Sequence, residues 1–310
     1  MEITQRALEI GPFDILGMTI NPTIHWYGLI IVIGILTATS IVAWLAKRDG
    51  DNPDLVWDGV IWVVLIAVLG ARLWSVIFPA GDAGQNRELS LDYLLDFNDG
   101  PLAIWSGGLS IFGAVLGGAL GVLWVAHRKK LALPVWIDRA AITIPIGQAI
   151  GRWGNYVNQE LYGRPTDLPW GIKIDYPEAP YTSADRFHPL FLYESLASWA
   201  LFGLLFYLYT RRRDKFQRWD FLLMYLMGYS LVRFLLEFIR VEIPKVGELN
   251  VSQVVTAITF VLALWILLMR HRFGRFMSAV YPPFGELVEK SEVSANQSRK
   301  SKQARNQGKA

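Results

Sequence analysis

Residues 26–46 read WYGLIIVIGILTATSIVAWLA, an unbroken run without a charged side chain that stops at Lys47-Arg48. A helix rises about 1.5 Å per residue, and about 20 residues cross the roughly 30 Å of a bilayer's hydrocarbon. This run is long enough to do so. Six further stretches of similar character follow, at about 57–78, 103–126, 135–153, 189–210, 219–239 and 250–269. The sequence therefore predicts an all-α integral membrane protein, a bundle of about seven transmembrane helices. The fourth stretch carries Asp138 and Arg139 near its start and Pro145 inside it. A bundle tolerates such a proline, because neighbouring groups satisfy the freed carbonyl.

Composition agrees with a bilayer. The 310 residues are 53% hydrophobic and only 18% charged, with a mean hydropathy of +0.29. That is too apolar for an ordinary soluble domain of this size. The formal net charge is +3 and the isoelectric point about 9.0. The basic residues sit in short clusters between apolar runs, a pattern that orients membrane proteins and does not suit nucleic-acid binding. Cysteine is absent, which excludes disulfides, thiolate metal sites and a thiol nucleophile borne by this chain. No His-Glu-x-x-His pair occurs, so neither a metal nor a cofactor is expected. Glu2, Glu9 and Asp14 near the start leave no basic leader running into an apolar core, and a cleaved signal peptide is not expected.

The basic clusters give an orientation. Lys47-Arg48, Arg128-Lys129-Lys130, Arg211-Arg212-Arg213 with Lys215 and Arg218, and Arg270, Arg272 and Arg275 all fall on one side of the predicted bundle. By the positive-inside bias that side is cytoplasmic, with the N-terminus outside and the C-terminus inside. An external loop region is expected at about 154–188, where Pro165, Pro169, Pro177 and Pro180 surround a short alternating strand at Trp170–Ile174. Residues 1–284 read as one membrane domain and residues 285–310 as a disordered basic tail. The third helix bears Gly107, Gly108, Gly113, Gly117, Gly118 and Gly121, a face of small residues suited to close helix packing.

One stretch breaks the apolar pattern: Gly151-Arg152-Trp153-Gly154-Asn155-Tyr156-Val157-Asn158-Gln159-Glu160-Leu161-Tyr162-Gly163-Arg164. An arginine within the bilayer costs about 2.5 to 3.5 kcal/mol even on insertion scales, so it marks a functional site by default. Other polar residues map to the same outer face: Tyr27, Arg72, His188, Glu194, Arg233, Glu237 and Arg240. Arg233 and Glu237, at i, i+4 spacing, also suit a structural ion pair. An arginine-rich site at one leaflet fits an anionic lipid headgroup, since the planar guanidinium binds phosphate bidentately. A transporter of lipids or small anions is the competing reading. It needs polar residues continuing through the other half of the bundle, where mainly Asp138 and Arg139 lie.

The string G-R-x-G-N-[YF]-x-N-x-E-x-x-G at 151–163 resembles the signature of the bacterial phosphatidylglycerol–prolipoprotein diacylglyceryl transferase family. Further landmarks similar to that family are Trp26-Tyr27-Gly28, Gly70-Ala71-Arg72, Ser106-Gly107-Gly108, His188-Pro189, Tyr193-Glu194 and the stretch from Arg233 to Arg240. The resemblance implies an enzyme of the bacterial cytoplasmic (inner) membrane, working without cofactors as a monomer with its site toward the outer leaflet. Such an enzyme moves the diacylglyceryl group of phosphatidylglycerol onto the lipobox cysteine of a prolipoprotein, forming a thioether and releasing glycerol phosphate. It implies catalytic roles for Arg152, Arg240, Tyr27, Glu160 and His188, and contacts to phosphatidylglycerol from Arg152, Asn155, Arg240 and Arg72. Many relatives have a histidine soon after the Ser-Gly-Gly, often proposed as the base. Phe112 stands there in this chain. His188, Glu160 and Glu194 are then the remaining candidate bases for the thiol, with ionisation of the thiol by the nearby arginines alone as the alternative.

Overall fold

In the computed structural model the described residues are 23–78, 109–241, 245–246 and 249–272, with the strand pieces 2–3, 7–9, 13–15 and 18–20. The expected tail at 285–310 and Ser106-Gly107-Gly108 lie outside them. Seven α-helices occur among the described residues: α1 (Trp26–Arg48), α2 (Asp54–Ile77), α3 (Ile111–Lys129), α4 (Leu133–Asn158), α5 (Leu190–Arg212), α6 (Asp220–Leu236) and α7 (Val251–Arg272). Each coincides with one predicted stretch. Five of them, α1, α2, α3, α5 and α7, are long and apolar enough to cross a membrane by length and composition. The other two are polar or short. Helix α4 carries Asp138, Arg139, Arg152 and Asn155, and α6 has 17 residues.

Short antiparallel strands accompany the helices. Near the N-terminus β1 (Glu2–Ile3), β2 (Ala7–Glu9) and β5 (Thr23–His25) form one sheet in the order β1-β2-β5, and β3 (Phe13–Ile15) pairs with β4 (Met18–Ile20). These strands were not expected from the sequence. The short strand expected at 170–174 is present as β6 (Ile172–Lys173), paired with β7 (Arg186–Phe187).

The chain divides into two compact units, Met1–Ala38 with Ile137–Ala310, and Thr39–Trp136. In the second, α2 and α3 pack backbone to backbone. A Cβ on Gly70 would stand 2.5 Å from the carbonyl oxygen of Gly113, and Gly113, Gly117 and Gly121 are buried. The glycine face of α3 thus serves packing, as its spacing implies. Helix α3 begins at residue 111 rather than near 103, because Ser110 is extended (φ −84°, ψ 131°). Phe112 is exposed and its ring lies 6.1 Å from that of Trp74, a packing role.

In the first unit, Leu205, Tyr209 and Phe221 are fully buried, and the Tyr209 and Phe221 rings meet edge-on at 5.0 Å. Here Asp138 and Arg139 find structural work. The buried Asp138 carboxylate accepts the backbone N–H groups of Trp219 (2.7 Å) and Leu222 (3.0 Å), capping the start of α6. Buried Arg139 donates from Nε to the Tyr209 hydroxyl at 3.3 Å. Asp220 pairs with His271 (2.7 Å) and Arg270 (3.5 Å), tying α7 to the same place.

Candidate active site

The polar stretch is helical for longer than the sequence suggested. Helix α4 runs to Asn158, so the external loop starts at 159 instead of 154. Arg152 and Asn155, three residues apart, share a helix face, and Arg152 Nη1 donates to Asn155 Oδ1 at 3.1 Å. The helix ends in a Schellman turn: the N–H of Gln159 reaches the Tyr156 carbonyl and that of Glu160 the Asn155 carbonyl, both at 3.0 Å. Gln159 adopts φ 56°, a left-handed conformation that costs about 1–2 kcal/mol in a non-glycine residue. Its side chain is held by a reciprocal pair with Asp175, one bond to the carboxylate and one from the backbone N–H, each 2.8 Å. The turn folds Glu160 back over the helix end, where its carboxylate accepts from Asn155 Nδ2 (2.8 Å) and Asn158 Nδ2 (3.4 Å).

Glu194, on the first turns of α5, is the centre of the cluster. Its buried carboxylate takes Arg152 on one oxygen at 2.6 Å and Arg233 on the other at 3.3 Å. Arg233, at the end of α6, also pairs with Glu237 at 3.3 Å, and Glu237 lies 3.7 Å from Arg240. The residues form an alternating row: Glu160, Asn155, Arg152, Glu194, Arg233, Glu237, Arg240. Three guanidiniums face the two buried carboxylates Glu194 and Glu237, which leaves a net positive charge among those five groups. Arg152, Asn155, Glu194, Arg233 and Arg240 line one pocket, with Leu190 and Phe191 as its apolar wall.

Two glycines of the signature have steric tasks. At Gly154 a Cβ would stand 2.5 Å from the Tyr27 ring, so the glycine lets Tyr27 lie against α4. There Tyr27 is within electrostatic reach of Glu160 and Arg152. At Gly163 a Cβ would stand 2.7 Å from His188 Cβ and 2.9 Å from the Ile239 carbonyl. The strand-like segment there donates from Gly163 N–H to His188 O (2.9 Å) and from Arg164 N–H to Ile239 O (2.7 Å), and Gly163 bridges Arg240. Arg240 is thereby held in place by the loop that follows the signature.

Of the site residues read from sequence, Arg152, Asn155, Glu160, Tyr27 and Arg240 gather in this one region. Of the seven, only Arg152, Asn155 and Arg240 line the pocket; Tyr27, Glu160, His188 and Arg72 do not. His188 is half-buried, and its Nδ1 lies 3.1 Å from the Tyr193 hydroxyl, which itself accepts from Trp170 Nε1 at 2.8 Å. Arg72 is buried on α2, in the second unit. Glu194 enters as the partner of two arginines, with each oxygen already taken. Arg233 and Glu237, read as an ion pair, belong to the row itself. The i, i+4 and i, i+3 spacings of Arg233, Glu237 and Arg240 were the signal for that half. Nothing in the sequence indicated that Glu194 would join the two halves.

A row of preorganised guanidiniums lining one pocket is suited to hold a phosphate and to stabilise negative charge that develops on it. Residues 15–269 match the family model for prolipoprotein diacylglyceryl transferase. A protein of Trichormus variabilis named phosphatidylglycerol–prolipoprotein diacylglyceryl transferase is 38% identical over 265 residues, 83% of this chain and 86% of that one. Proteins of the same name from Synechococcus elongatus (34% over 294 residues, 92% of this chain and 94% of the relative) and Streptomyces griseus (36% over 266 residues, 83% and 73%) are similar along most of their length.

Proposed function

The chain belongs to the prolipoprotein diacylglyceryl transferase family, and from that premise we propose how its residues carry the reaction. The protein is a transferase of the bacterial membrane that moves the diacylglyceryl group of phosphatidylglycerol to the lipobox cysteine of a prolipoprotein. The thiol gives up its proton, since the thiolate is the nucleophile. Sulfur then bonds to the glyceryl carbon as the carbon–oxygen bond to phosphate breaks. Glycerol phosphate leaves with the bond's electron pair and carries one more negative charge than the diester did.

Arg152 and Arg240 hold the phosphate and meet that developing charge, which lowers the barrier to the extent that they bind the transition state more tightly than the ground state. The observation that carries this reading is the single pocket lined by both, with Arg233 between them. Glu194 and Glu237 aim the guanidiniums. Glu160 receives the thiol proton: it is exposed at the cluster and contacts amides rather than a guanidinium. Tyr27 lies alongside to donate a hydrogen bond to thiolate or phosphate. Asn155 couples Glu160 to Arg152 and offers its remaining capacity to the headgroup. His188 accepts the Gly163 N–H on its carbonyl and so steadies the segment that bridges Arg240, and Arg72 is a separate contact for phosphatidylglycerol. All seven helices cross the membrane. The active site opens to the outer leaflet of the inner membrane, the C-terminus faces the cytoplasm, and the protein acts as a monomer. The test is to incubate the purified protein with phosphatidylglycerol and a lipobox peptide. The expected product is a peptide heavier by one diacylglyceryl group on sulfur; an unchanged peptide mass with folded protein would overturn the reading.

A further inference from the structure

A second polar feature lies in the other unit and uses none of the active-site residues. Between the first turns of α2 and the last turns of α3 there is a cavity of roughly 280 Å³. Gly59 and Val125 form its floor, and a Cβ on Gly59 would come within 3.1 Å of Val125 Cγ1. Trp62 and Trp124 line it together, their rings in contact at 5.3 Å between centroids and tilted by 57°, both substantially exposed. At the rim, the Arg128 guanidinium lies over the Trp124 ring at 5.6 Å, while Lys129 pairs with Asp58 at 3.0 Å.

Charge decides what fits. Two cations against one carboxylate leave the rim positive, and because Lys129 and Asp58 satisfy each other, the surplus resides on Arg128. Among the described residues no carboxylate pairs with Arg128. Its place over Trp124 leaves its N–H fork available for bidentate contact with phosphate. Below the fork, two indoles and a valine offer an apolar seam along helices that are long and apolar enough to span a bilayer. A phosphate at the rim with hydrocarbon below it is the outline of a phospholipid at the membrane interface, where tryptophan is enriched. A zwitterionic headgroup would bring its own cation against the positive rim.

We propose that the cleft formed by Asp58, Trp62, Trp124 and Arg128 binds one anionic phospholipid as a resident lipid, separate from the lipid consumed in the reaction. The experiment places the full chain in phosphatidylcholine nanodiscs containing a few per cent phosphatidylglycerol and counts retained lipids by native mass spectrometry. Wild type is expected to retain one more phosphatidylglycerol than Arg128→Gln, and the apparent affinity for that lipid should fall at least about tenfold, or roughly 1.4 kcal/mol. Trp124→Leu should give a similar loss, while Arg152→Ala should leave this lipid bound. Equal retention by wild type and Arg128→Gln would overturn the proposal. So would retention of phosphatidylcholine in its place, or displacement by millimolar inorganic phosphate. Because the readout is lipid occupancy, failure of the transfer reaction itself would appear separately, in the thioether assay.

Discussion

Glu194 orients the site's arginines from a position where water cannot substitute for it. Its side chain is only 3% exposed and holds Arg152 and Arg233 on opposite oxygens. Breaking a buried pair by removing one partner costs about 3–5 kcal/mol, because the remaining charge is stranded. Glu194→Gln keeps the shape and removes the charge, and is expected to lower the thermal unfolding midpoint and the turnover together. A wild-type midpoint with unimpaired turnover would show that the arginines are aimed by something else. Arg152→Lys makes the complementary test. Lysine preserves the charge but not the fork that reaches Asn155 and Glu194 at once, so kcat/KM should fall at least about tenfold with the protein still folded. Turnover close to wild type would remove Arg152 as the phosphate clamp.

At the level of elements, the site depends on how closely backbones approach. Helix α4 ends in the Schellman turn at Gln159, and the segment after it passes between His188 and Ile239 only because residue 163 has no side chain. Gly163→Ala is expected to cost about 1–3 kcal/mol by overpacking, and to reduce turnover further because Arg240 is bridged to this segment. Gly203→Ala in α5 is the control. Nothing lies within 4 Å of a Cβ there, and alanine is favoured over glycine in a helix by about 1 kcal/mol, so this variant should be neutral or slightly more stable. Thermal unfolding and turnover of the two variants side by side make the measurement; equal stability would refute the close-packing argument. The capping of α6 by Asp138 belongs to the same scale. With Arg139 bonded to Tyr209, it gives both polar residues of that half structural work, which weakens the transporter reading.

For the whole molecule the open quantity is orientation. The basic ends of α1, α3, α5 and α7 predict which side faces the cytoplasm, and the absence of cysteine makes the experiment clean. A cysteine placed at Glu178 should react with an impermeant thiol reagent added to intact cells, and one at Arg212 should react only after the membrane is opened. The reverse labelling pattern would invert the arrangement and put the arginine pocket at the cytoplasmic leaflet.

Helix positions were legible in the sequence because each is a local matter: an apolar run bounded by charge or by glycine and proline is helical whatever surrounds it. All seven predicted stretches therefore coincide with helices, and the signature marked Arg152, Asn155 and Glu160, and the stretch from Arg233 marked Arg240, with no knowledge of the packing. Helix ends were less legible. Whether α4 continues past Trp153 depends on a left-handed Gln159 secured by Asp175, a partner sixteen residues away. The row of charges was least legible of all. Glu194 meets Arg152 across 42 positions of sequence and Arg233 across 39, and no periodicity connects them. A buried carboxylate's partners are decided by desolvation, which requires that it meet opposite charge wherever the fold delivers it. Local chemistry in the sequence named the arginines; only the tertiary structure decided that one glutamate would hold two of them toward a common pocket.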